Sequence, residues 1–120
     1  MLSKAEEHLG SAEILWRHGQ YRDALSRAYY ATFSAMCAFV GEPPRGRWEH
    51  PGLRGVCVQQ LSVRGAPVTA CRRFRQRLRS LHDARTDADY TTTAIDETTV
   101  QEALAIAREI LQVVQRYEQR

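Results

Sequence analysis

Lysine is almost missing from this chain. Sixteen of its 17 basic residues are arginine, and Lys4 stands alone. Net charge is only +3, so the composition admits a polyanionic partner such as RNA without requiring one. Aromatic residues make up 8%, which leaves packing to aliphatic and alanine contacts. The three cysteines, Cys37, Cys57 and Cys71, show no CxxC or Cys/His spacing. That argues against a zinc site and suits buried free thiols in a reducing compartment. No 18-residue apolar run exists, because Arg22, Asp23 and Arg27 interrupt the best candidate. Glu6 and Glu7 precede any apolar run that could form a signal peptide. No glycine-rich phosphate loop, paired-carboxylate motif, Ser/His/Asp arrangement, internal repeat or strand alternation is present. The expectation is one domain over residues 1–120, cytoplasmic, with no membrane segment, metal or cofactor.

What the chain does have is Tyr21 to Val40, a stretch without Gly or Pro. Alanines 24, 28, 31, 35 and 38 alternate steps of four and three, which places them on one seam of a helix. Leu25, Tyr29, Tyr30, Phe33, Met36, Phe39 and Val40 surround that seam. A helix apolar over most of its circumference is a central one. One polar stripe interrupts it: Asp23, Arg27, Tyr30 and Ser34, with Asp23 and Arg27 spaced to pair. Periodicity alone leaves two readings of the stripe open, a solvated edge or a shared polar site.

Ser3 to Glu6 has the form of a capping box for a first helix carrying Leu2, Ala5, Leu9, Ala12 and Trp16 on one face. Gly10 within that helix predicts close packing against a neighbour. Gly19 ends the helix, and so short a link predicts a helical hairpin. Two prolines and Gly46 exclude helix between Gly41 and His50, and Trp48 there is expected to pack down on the bundle or a partner. Pro51 opens a short third helix, with Leu53, Val56, Cys57, Gln60 and Leu61. In a fourth helix Cys71, Phe74, Leu78 and Leu81 step by three and four, and the next step reaches Arg85. An arginine on an apolar stripe needs a partner, and Asp89 is the nearest candidate. Arginines 72, 73, 75, 77 and 79 are spread around the outside. Thr91 to Thr93 break the pattern. Asp96 or Thr99 caps a fifth helix, and Thr99 to Glu102 form a second capping box. Val100, Ala103, Ala107, Ile110, Val114 and Tyr117 make its stripe. Together these give an all-α, antiparallel up-and-down bundle of four long helices and one short one. His8 and His18 have no partner pattern and read as surface residues.

Three stretches concentrate the unusual residues: Arg27-Ala28-Tyr29-Tyr30-Ala31, Trp48-Glu49-His50 with Leu53, and Arg85 to Tyr90 with Ala88-Asp89-Tyr90. With the short link at Gly19, and in this order over nearly the whole chain, they make the sequence similar to the HEPN superfamily. It most resembles the small stand-alone proteins encoded beside a minimal nucleotidyltransferase. The resemblance implies a helical homodimer acting on RNA or a nucleotide in a toxin–antitoxin or antiviral module. Many such proteins are metal-independent endoribonucleases, in which an Arg followed after four to six residues by a His forms a cleft shared by two subunits. Attack by the ribose 2′-hydroxyl on the adjacent phosphate is the implied chemistry, with Arg steadying charge and His moving protons.

The motif departs from the family at its second residue. From Arg85, the positions for the His hold Tyr90, Thr91 and Thr92. Arg77 and His82 have the spacing, but five residues on a helix turn through about 140°, so they share no face. His50 could supply the imidazole from outside the helix. The candidate catalytic residues are therefore Arg85, Tyr90 and His50, and the candidate substrate-binding residues are Arg27, Tyr30, Asp89 and Arg47. The family also implies nucleotidylation of a tyrosine near the motif, which here points to Tyr90. An alternative reading is a non-catalytic HEPN module that binds RNA or a nucleotide or scaffolds a partner enzyme. A plain helical interaction protein is the third.

Overall fold

The computed structural model describes residues 2–90 and 94–118. It is an all-α bundle of five helices: α1 Ser3–Arg17, α2 Tyr21–Val40, α3 His50–Val63, α4 Val68–Tyr90 and α5 Glu97–Glu118. No strand occurs among the described residues. α1, with 15 residues, is close in length to α3, with 14, so the bundle has three long helices and two shorter ones. No helix is long and apolar enough to cross a membrane.

α2 packs against all four other helices, as its all-round apolar character predicts. Ala24, Ala28, Ala31 and Ala35 are fully buried, while Ala38 is only partly covered. α5, which packs on α2, buries Val100, Ala103, Ala107, Ile110, Val114 and Tyr117, and adds Leu104, Ile106 and Leu111. Its buried face is thus wider than the expected stripe. Because Ala31 and Ala35 are fully buried in a packed interior, a longer side chain at either position must displace its neighbours. Ala31→Leu and Ala35→Leu are each expected to lower stability by about 1–3 kcal/mol. Unchanged melting of both variants in scanning calorimetry would contradict the central placement of α2.

Two capping expectations fail, each for a visible reason. Leu2, not Ser3, is the residue before α1, and no side-chain cap bond forms there. Leu2 is buried, and its carbonyl accepts the Glu6 N–H at 2.9 Å, so apolar anchoring draws Ser3 into the first turn. At α5 the cap is Asp96. Its Oδ1 accepts both the Thr99 N–H at 2.8 Å and the Thr99 hydroxyl at 2.7 Å. These bonds hold the Asp96 carboxyl below its ordinary range. Thr99 therefore spends its hydroxyl on Asp96 and lies inside the helix, so no second capping box exists. Thr91 to Thr93 lie outside the described residues.

Gly10 also differs from expectation. A Cβ placed there would meet nothing within 4 Å, so close packing does not explain it. Gly10→Ala is expected to raise stability by about 0.5–1 kcal/mol, the ordinary cost of glycine inside a helix. Chemical denaturation would show this as a higher midpoint at constant slope.

The segment between α2 and α3 is tied down at both ends. Gly41 ends α2 at φ 81°, a left-handed conformation that favours glycine, and its carbonyl accepts the Trp48 indole N–H at 2.8 Å. Trp48 packs against the core, as expected. Pro51 lies in the first turn of α3, and the Leu53 N–H reaches the Glu49 carbonyl at 2.9 Å. These contacts fix where His50 begins its helix. The three cysteines are free thiols, and burial pushes Cys57 up to about 12.

Candidate functional site

Arg85 organises the site. It continues the α4 stripe of Phe74, Leu78 and Leu81, and its side chain is 23% exposed. Its guanidinium carbon lies 4.4 Å from the Tyr29 ring centre and 5.0 Å from that of Tyr30. Nη2 donates to the Tyr30 hydroxyl at 3.1 Å. Nε approaches Asp89 Oδ2 at 3.5 Å, the expected i, i+4 partner, but makes no hydrogen bond although buried. Two tyrosine faces and one carboxylate thus hold a cation that stays partly open to solvent. Such a guanidinium is set to receive an anion.

His50 reaches the same place from α3. Its ring lies 5.3 Å from Tyr29 and 4.7 Å from Phe33, and its Nδ1 is hydrogen-bonded to the Tyr29 hydroxyl. That hydroxyl can donate to Nδ1 or accept from it, so either neutral tautomer of His50 is held. Burial, then the charges of Arg85, His82 and Arg54, lower His50 below the ordinary histidine value of 6.5. Burial raises Tyr29 above its ordinary 10.0, against the opposing charge of Arg85. At neutral pH the pair is therefore a neutral imidazole and a protonated phenol beside a fixed cation. Such an imidazole can take up a proton and give it back.

Two members of this cluster do not stand out in the sequence. Tyr29 reads there as one of the apolar residues around the alanine seam. It is 6% exposed and belongs to the core, yet its ring carries Arg85 and its hydroxyl carries His50. His82 is passed over there because it shares no face with Arg77. The two do part company: Arg77 Nε donates to Glu109 on α5 at 2.9 Å, while the His82 ring lies 6.1 Å from Tyr29. The overlooked signal is the i, i+3 spacing of His82 and Arg85, which puts both on one face of α4.

The remaining candidates divide. Tyr30 is joined to Arg85 through its hydroxyl, and Asp89 through its carboxylate. Arg27 does not pair with Asp23. Its Nη1 lies 3.3 Å from Nδ1 of His8, which is partly covered by this contact and not the free surface residue expected. Tyr90 is 85% exposed and lies outside the cluster, because five residues beyond Arg85 turn it about 140° around α4. Arg47 is exposed in the α2–α3 segment, also outside the cluster. Of the outer arginines, Arg73 and Arg77 both grip Glu109, with a closest contact of 2.7 Å for Arg73. These are helix-to-helix contacts between α4 and α5.

Comparison with known proteins agrees with this architecture. The family model described as HEPN domain matches residues 1–117. A protein of Methanocaldococcus jannaschii named "Putative toxin MJ0605" is 31% identical over 116 residues, covering 97% of this chain and 82% of its own length.

Proposed function

From a chain that belongs to the HEPN domain family, we propose a metal-independent endoribonuclease that serves as the toxin half of a toxin–antitoxin pair. The toxin in the name of the archaeal relative supports that role. The active form is a homodimer in the cytoplasm, in which two chains contribute to one cleft, and a minimal nucleotidyltransferase is the partner that restrains it. In the reaction the ribose 2′-oxygen attacks the adjacent phosphorus while the bond from phosphorus to the 5′-oxygen breaks. His50 takes the 2′-hydroxyl proton and returns a proton to the departing 5′-oxygen. Arg85 steadies the charge that builds on the phosphoryl oxygens.

One observation carries this reading. Tyr29 holds the His50 imidazole by a hydrogen bond and the Arg85 guanidinium on its ring. The motif positions after Arg85 offer no imidazole, yet one stands a single side chain away. The second reading, a HEPN module that binds without cutting, is favoured by Tyr90, which replaces the motif histidine and faces solvent.

Incubation of the purified protein with total RNA in excess EDTA tests the proposal. Fragments ending in 2′,3′-cyclic phosphate and beginning with 5′-hydroxyl are expected, and none from Arg85→Ala of equal helicity. Absence of fragments at enzyme-level concentrations would overturn the nuclease and favour the binding module.

A further inference from the structure

Beside the Arg85 cluster, on the other side of Tyr30, runs a groove of about 620 Å³ between α1 and α2. It is lined by His8, Leu15, Asp23, Ser26, Arg27 and Tyr30. Its size falls within the roughly 300–1,000 Å³ of small-molecule clefts. Tyr30 belongs to both places. Its hydroxyl accepts from Arg85, the residue is 40% exposed, and the His8 ring stands 6.2 Å away, tilted by 38°. The Arg85 guanidinium covers one side of the Tyr30 ring at 5.0 Å, and the remainder of the side chain lines the groove.

The polar groups of the groove have defined roles. A guanidinium can only donate, so the 3.3 Å approach of Arg27 Nη1 makes His8 Nδ1 the acceptor and puts the proton of His8 on Nε2. His8 remains neutral, because burial and the charges of Arg27 and Lys4 lower it below 6.5. The groove therefore offers a cation, a neutral N–H donor, a serine hydroxyl and an aromatic face. Asp23 is the acid on this lining. Its carboxylate accepts hydrogen bonds, which suits the exocyclic amino group of a base and opposes a second phosphate.

We propose that this groove is a nucleotide subsite that holds the residue of single-stranded RNA next to the phosphate on Arg85. The base stacks on Tyr30, and the flanking phosphate pairs with Arg27. Aromatic stacking beside backbone-tracking cations is how proteins hold single strands. The assignment rests on the nuclease reading for the second phosphate but is tested without cleavage.

The probe is a fluorescein-labelled octaribonucleotide of mixed sequence with every 2′-hydroxyl methylated, so that it cannot be cut. Binding is read by anisotropy across a salt series. Tyr30→Ala is expected to weaken binding roughly 5- to 150-fold, the range carried by one base–aromatic stack. Tyr30→Phe keeps the ring and should stay within about threefold of the wild type. Arg27→Ala should weaken binding and reduce the slope of log affinity against log salt by about 0.7, one phosphate contact on a single strand. Both side chains are exposed, so the variants should keep the helicity of the parent, and Tyr30→Phe, which retains the ring beside Arg85, should keep its melting as well. Wild-type affinity in both Tyr30→Ala and Arg27→Ala would overturn the subsite, and would leave the nuclease reading standing if Arg85→Ala still abolished cleavage. Adenosine monophosphate competing as strongly, mole for mole, as the octamer would also overturn it, by making the groove a site for a free nucleotide. Loss of RNA cleavage in the EDTA assay, with octamer binding still dependent on Tyr30 and Arg27, would remove the nuclease and keep the subsite.

Discussion

His50→Gln is expected to lower the rate of RNA cleavage by about 10²- to 10⁴-fold, the usual contribution of a positioned acid–base group. Glutamine keeps a hydrogen-bonding group near the Tyr29 hydroxyl but cannot exchange a proton at neutral pH. His50 starts α3, where Pro51 and the Glu49–Leu53 backbone bond already set the turn, so the helix does not depend on the imidazole. The pH profile adds a second readout. Burial and three neighbouring cations or imidazoles lower His50, so its neutral form persists to below pH 6.5, and the acidic limb of the wild-type rate should lie below that value. The limb should vanish from the residual rate of His50→Gln. Stability follows the same sign. As pH falls from 6.5 toward the lowered folded value, the unfolded chain binds a proton at His50 that the folded chain refuses, so stability declines through that window and then levels. His8 acts in the same direction. Full cleavage by His50→Gln would remove this histidine from the reaction and turn attention to His82.

Arg85→Met should abolish cleavage, by at least about 10²-fold, while leaving the melting temperature unchanged or higher. The first half follows from removal of the cation that would face the phosphoryl group. The second follows from the surroundings. The Arg85 side chain is mostly covered, its Nε is buried without a hydrogen bond, and its ion pair with Asp89 is long at 3.5 Å. Asp89 is exposed and returns to water when its partner is removed. Methionine continues the stripe of Leu78 and Leu81 and can pack on the same tyrosine faces. Giving up the cation–π attraction costs about 0.5–2 kcal/mol, comparable to the desolvation recovered. A parallel fall of activity and melting temperature would mean that Arg85 is held for structure.

The helices were legible because each buries a face whose period shows in the residues. The stripe of α5, the seam of α2 and the glycine ends of α1 and α2 follow from side-chain size and backbone freedom alone. Cap chemistry was less legible. Ser3 and Thr99 fit the pattern, but burial of Leu2 and the stronger carboxylate of Asp96 decided the ends of their helices. The site was half legible. Arg85 stood out because a charge interrupts an apolar stripe, Asp89 followed from its i, i+4 spacing, and Tyr30 stood out on the polar stripe of α2. Tyr29 did not stand out, since a residue inside the core looks apolar whether or not its hydroxyl holds a partner. His50 lies 35 residues before Arg85, and only the packing of both α3 and α4 onto α2 brings them to the same tyrosine. Spacing along a chain cannot report a meeting of that kind.

That meeting has a consequence for the protein while it is being made. Tyr29 and His50 leave the ribosome before Arg85, so the pair lacks that guanidinium until the second half of α4 has followed. A growing chain that stops before Arg85 carries the imidazole and the phenol without the guanidinium that the Tyr29 ring holds. The three-sided cluster of Tyr29, His50 and Arg85 is thus complete only once three separate helices, α2, α3 and α4, have all emerged.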